Sequence, residues 1–161
     1  MTEFLTSIEQ LGYSTWVREG LTIWSFATLL FLHDIAMALL AGTSIIINLR
    51  LLGFAPRIPL QPLGRLYPMM WTGFWLAAFT GTSLLMADAN TKMRNPDFYV
   101  KMVLIAISLV LMQMIRKRVF SNPDQPEPNV KGLALASLIC WLGVITAGRL
   151  MAYLGPVAGL A

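Results

Sequence analysis

Histidine and cysteine are almost absent from this chain of 161 residues: it holds one of each, His33 and Cys140, and charged residues make up only 12% of it. A single cysteine excludes an internal disulfide and any metal site built from several thiolates of one chain. Its place within an apolar stretch reads as a small core residue, because thiol reactivity needs an electropositive, accessible setting. One histidine excludes bis-imidazole ligation by one chain and His-rich copper or zinc sites. No Ser/His/Asp, phosphate-loop or zinc-hydrolase motif occurs either. The few basic residues form no stripe with interleaved aromatics, so nucleic acid is not an expected partner.

What fills the chain instead is apolar: 57% of its residues are hydrophobic, outside the usual composition of soluble proteins. The segments around Leu30, Leu76, Val110 and Leu142 are apolar on every side, whereas a helix at a soluble surface keeps a polar face. The expectation is an all-α integral membrane protein, one domain over 1–161, whose partner is the lipid bilayer. Four transmembrane helices are expected to form a bundle, at about 21–49, 66–87, 96–116 and 132–154. The first would reach roughly 43 Å, more than the ~30 Å hydrocarbon core, so it tilts or protrudes. Asn95 and Pro96 read as the N-cap and first residue of the third, and Gly155 with Pro156 stops the fourth.

Ahead of the spans, Phe4, Leu5, Ile8 and Leu11 recur at helical spacing between Glu3, Glu9 and Gln10. They predict one interfacial amphipathic helix over 3–13, with Trp16 and Trp24 in the interfacial belt. The segment lacks the basic region and short apolar core of a cleavable signal, so the first span is expected to be retained. Seven cations (Arg50, Arg57, Arg65, Arg116, Lys117, Arg118 and Lys131) fall on one side of these spans and five on the other. That bias predicts the seven to be cytoplasmic and both termini outside.

Four ionisable residues lie in or at the edge of apolar spans: His33, Asp34, Lys101 and Arg149. A charge at the bilayer centre costs at least ~2.5 kcal/mol on insertion scales, so such residues face the bundle interior and find partners there. In FLHDIAMALL, residues 31–40, His33 and Asp34 are adjacent and therefore point about 100° apart on a helix. They form no pair, and each needs its own partner. Asp34 is expected in a structural ion pair with Arg149, or protonated within the bundle. Lys101 has Asp97 four residues before it as a local partner. For His33 two readings stand: a packing residue bonded to Ser44 or a backbone carbonyl, or an axial ligand of haem or another metal. AGTSIII at 41–47 and TGTSLLM at 80–86 read as small-residue helix packing.

The runs LHDIAMALLAGTSIIINLRLLG, NPDFYVKMVLI and WLGVITAGRLMAYLG resemble a bacterial family of four-helix inner-membrane proteins of unknown function, over roughly residues 25–155. A more distant likeness is to haem-binding membrane protoporphyrinogen oxidase and, more weakly, to copper-resistance D-type proteins. The oxidase has four spans with a histidine in the first and a lysine early in the third, both implicated in haem b binding. His33 and Lys101 occupy those places. The spacing from Gly42 to Arg50 departs from the oxidase pattern, and Asp34 and Arg149 have no counterpart in it.

The resemblance implies haem b held by His33 and Lys101; the outer-edge positions of Lys101 and Arg149, cations that match two propionates, extend this to an expected bacterial inner-membrane subunit that exchanges electrons with a redox partner. It would act as a homo-oligomer or as part of a membrane redox complex. Two alternatives are a cofactor-free accessory subunit, packing through Gly42, Gly73 and Gly81, and a haem-synthesis oxidase.

Overall fold

The computed structural model describes residues 2–19, 25–120 and 130–153, and every regular element in them is helical. The expected all-α class is what forms. Two short helices, α1 (Thr2–Glu9) and α2 (Gly12–Glu19), precede the long helix α3 (Phe26–Leu52). A 3-10 turn over Gln61–Arg65 leads into α4 (Leu66–Ala87), and the short α5 (Ala89–Arg94) leads into α6 (Pro96–Ile115). A π-helical turn over Arg116–Phe120 ends α6, and α7 (Val130–Tyr153) completes the chain.

Three of these helices are long and apolar enough to cross a membrane: Phe26–Leu52, Pro96–Phe120 and Val130–Met151. The 22 residues of α4 carry no charge, but Thr72, Gly73, Thr80, Gly81, Thr82 and Ser83 lower its hydropathy. The expected start of the first span, and Trp24 with it, lies outside the described residues.

Local signals account for the helix ends. Gly53 takes the left-handed conformation at φ 106°, and the N–H groups of Gly53 and Phe54 donate to the carbonyls of Arg50 and Leu49. That closes α3 with a Schellman-type cap. At the start of α6 the Asn95 side chain accepts from the Asp97 N–H at 2.9 Å, with Pro96 at the first helical position, as the sequence predicts.

The long helices pack as α3 on α4, α6 on α7 and α3 on α7. Gly73 makes the first contact so close that a Cβ there would stand 2.8 Å from the Leu40 nitrogen. Small residues at such crossings let backbones approach where no hydrophobic force drives helices together. Gly42, by contrast, has nothing within 4 Å of its Cβ position. Towards the end of the bundle where α3 stops, Asn48 donates to Ser137 at 2.9 Å, tying α3 to α7. There too the Tyr67 hydroxyl donates to the Met112 carbonyl at 3.3 Å, tying α4 to α6. We call this the inner end, and the end carrying the N-terminal helices the outer end.

The single amphipathic helix expected over 3–13 is broken into two. The Ile8 carbonyl receives the Ser14 hydroxyl at 2.8 Å and the Leu11 N–H at 3.3 Å, and a continuous helix would have given it to the Gly12 N–H. Glycine at that position also favours the break. Both pieces dock on the outer end: the Glu9 carboxylate accepts from the Asn90 backbone at 2.7 Å and from its side chain at 3.0 Å. The Tyr13 hydroxyl donates to Ser83 at 3.0 Å.

Candidate functional site

Of the four ionisable residues in the apolar helices, three are drawn together. His33 stands about 10 Å along α3 from its first described turn, at 1.5 Å per residue, on the face that meets α4. Its Nδ1 lies 2.8 Å from the Thr80 hydroxyl oxygen, and its ring sits against Gly81, where a Cβ would come within 3.0 Å of Cε1. The Ala77 carbonyl also lies beside the ring. Thr80 and Gly81 therefore form the seat of the imidazole, the one supplying a bond and the other supplying room.

The direction of the bond to Thr80 follows from the hydroxyl's other partner. Thr80 has one proton, and its oxygen also lies 2.7 Å from the Leu76 carbonyl. A carbonyl only accepts, so when the Thr80 proton goes to Leu76 the Thr80 oxygen meets His33 as an acceptor. In that arrangement Nδ1 carries the imidazole hydrogen. In the neutral ring, Nε2 is left with a bare lone pair. It is also the ring nitrogen further from Gly81, at 4.0 Å from the Cβ position there against 3.6 Å for Nδ1. An imidazole whose Nδ1–H is held by a neighbour and whose Nε2 is bare is the form that ligates metals.

Lys101, on α6, reaches across to α7 and lays its ammonium over Gly148, 3.6 Å from the Cβ position of that residue. It lies within electrostatic reach of both His33 and Asp34. Asp34 is exposed on α3, and its charge reaches Lys101 from the neighbouring helix. Arg149 is exposed on α7 and makes no ion pair with Asp34. Arg149, next in the chain after Gly148, points about 100° away from the face that Lys101 meets.

Two further expectations change. His33 does not bond Ser44, whose hydroxyl donates to the Leu40 carbonyl of its own helix at 2.8 Å. Gly73 and Gly81 are occupied by contacts between α3 and α4, so of the three glycines proposed for partner packing only Gly42 has open space beside it. Thr80, Gly81 and Gly148 were the residues to find. The first two open the TGTSLLM segment, which carried a signal of helix packing but not of its histidine partner.

The assembly gathers one imidazole, one interior ammonium, one carboxylate and one outer guanidinium around the same end of the bundle. It can hold an anionic group by its cations and offer a nitrogen lone pair to a metal centre. No protein-family model, curated protein or solved structure matches the chain.

Proposed function

We propose that this chain is a four-span subunit of the bacterial inner membrane, with both termini periplasmic, that binds haem b through Nε2 of His33. The haem would exchange single electrons with a partner redox protein, the chain acting as a homo-oligomer or within a membrane redox complex. The observation that carries this reading is the seat of His33, whose Nδ1 lies 2.8 Å from a Thr80 hydroxyl that is itself 2.7 Å from the Leu76 carbonyl, an arrangement that supports an Nδ1–H imidazole with a bare Nε2. The cations at the same mouth support it: Lys101 and Arg149 match the two carboxylates of a haem. Asp34 would hold Lys101 in place from outside. Because the chain has one histidine, a second imidazole ligand would have to come from another subunit.

The fourth span is supported by the 22 uncharged residues of α4 lying along α3, and the orientation by the seven cations on one side. In that orientation α1 and α2 lie at the periplasmic interface. The resemblance to protoporphyrinogen oxidase supports a related reading, a haem-synthesis enzyme using the same His33 and Lys101. A cofactor-free accessory subunit is favoured by a different observation: the bond from His33 to Thr80 would by itself lock α3 on α4, and Gly42 offers a free small-residue surface.

Absorption spectra separate these readings. Protein purified in detergent after expression with ample haem should show a Soret band and bound iron, both lost in His33→Ala. Absence of the band from the wild type would remove the haem reading, and partner association unchanged by His33→Ala would then favour the accessory subunit. Conversion of protoporphyrinogen in a strain lacking its own oxidase would identify the enzyme.

A further inference from the structure

The inner end of the bundle gathers Arg50, Arg57, Arg65, Arg116, Lys117, Arg118 and Lys131. The packing draws part of this set together. Phe120, the last residue of the π-helical turn, lies 3.1 Å from the Cβ position of Gly64 and makes an edge contact with Tyr67 at 5.5 Å. The Arg116 guanidinium stacks on the same Tyr67 ring, 5.5 Å from its centre. The turn bearing Arg116 and Lys117 is thereby fastened to the turn that ends in Arg65, and all three side chains are exposed.

Packing like charges together is unfavourable unless an anion lies among them. Complementarity to the helix dipole accounts for Arg116 and Lys117 at the C-terminal end of α6, but not for Arg65, which precedes the N-terminal end of α4. The neighbouring loop adds an apolar element. Arg50 pins it by donating to the carbonyls of Ile58 at 2.6 Å and Pro56 at 2.9 Å. That leaves Phe54 66% and Ile58 48% exposed, with Arg57 beside them. Apolar side chains beside cations at a helix end are the chemistry of an anionic membrane surface.

We infer that the inner rim, formed by Arg65, Arg116 and Lys117 with the Phe54–Ile58 loop beside them, is a binding site for the headgroup of an anionic phospholipid. The guanidiniums and the ammonium hold the phosphate, and Phe54 and Ile58 lie along its tails. The inference rests on the membrane reading of the chain and is independent of haem.

Native mass spectrometry of the detergent-solubilised full chain, titrated with phosphatidylglycerol, phosphatidylcholine or glycerol phosphate, tests it. Phosphatidylglycerol should be retained preferentially, and Arg65→Gln with Lys117→Gln should weaken its retention about fivefold for each cation removed. Both positions are exposed, so folding is not at stake. Lys92→Gln with Arg94→Gln, at the outer end, should change nothing. Equal retention of the two lipids, retention unaffected by the inner-rim substitutions, or glycerol phosphate binding as tightly as the lipid would overturn the inference. A chain released from membranes by alkaline carbonate would overturn the membrane reading with it, whereas a chain that stays but shows no lipid preference overturns this inference alone.

Discussion

His33 and Thr80 join α3 to α4 through a hydrogen bond of 2.8 Å between Nδ1 and the hydroxyl. One turn away the same hydroxyl lies 2.7 Å from the Leu76 carbonyl, and a proton given to that carbonyl makes the imidazole the donor. Replacing Thr80 by valine keeps the shape and removes the acceptor, so the ring loses the group that fixes both its tautomer and its orientation. If His33 ligates haem, Thr80→Val should weaken haem retention about 10- to 100-fold, as loss of an outer-shell partner does. Thr80→Ser should keep it. Haem transfer to apomyoglobin, followed optically, reads the difference.

The close approach of α3 and α4 at Gly73 makes a second prediction. A methyl group there would meet backbone at 2.8 Å, which cannot yield as a flexible side chain could. Gly73→Ala should destabilise the bundle by about 1–3 kcal/mol, the cost of overpacking. Gly42→Ala, in open space, should be neutral or slightly stabilising, since alanine is the better helix former by about 1 kcal/mol. Denaturation in mixed detergent micelles compares the two.

Asp34 lies within electrostatic reach of Lys101. In a double-mutant cycle, Asp34→Asn and Lys101→Gln should interact by about 0.5–3 kcal/mol, whereas Asp34→Asn and Arg149→Gln should add to within about 0.5 kcal/mol. The same unfolding assay supplies both cycles. Coupling of Asp34 to Arg149 alone would restore the pairing expected from sequence.

The N-terminal helices are held at the outer end by polar bonds. Glu9→Gln should loosen α1, because the Glu9 carboxylate accepts both the backbone and the side-chain N–H of Asn90, and a neutral amide accepts less strongly. Faster hydrogen exchange over residues 2–19, with α3 and α6 unchanged, is the expected outcome.

Much of the architecture was readable because it depends on local chemistry. The bounds of α4 and the Asn95 cap follow from nearest-neighbour signals and apolar length, whereas α3 runs past the expected end at about 49 to its cap at Gly53. The separation of His33 from Asp34 followed from helical geometry alone. What could not be read was register across helices. Nothing within the first apolar run says that His33 meets Thr80 instead of another hydroxyl, since that depends on where Gly73 lets α3 settle on α4. That Lys101 comes within electrostatic reach of Asp34 likewise depends on how α6 settles against its neighbours. The break between α1 and α2 was hidden by an apolar period that continues through it, while the Ser14 hydroxyl captures the carbonyl of Ile8.

Because His33 is the chain's one histidine, nitrogen NMR of protein labelled only with 15N-histidine reports on a single imidazole. In haem-free protein at a pH where the ring is neutral, the spectrum should show Nδ1 protonated and Nε2 bare. Adding haem should then shift or broaden the Nε2 resonance while Nδ1 keeps its proton. An Nε2–H tautomer, or an Nε2 signal untouched by haem, would contradict the account.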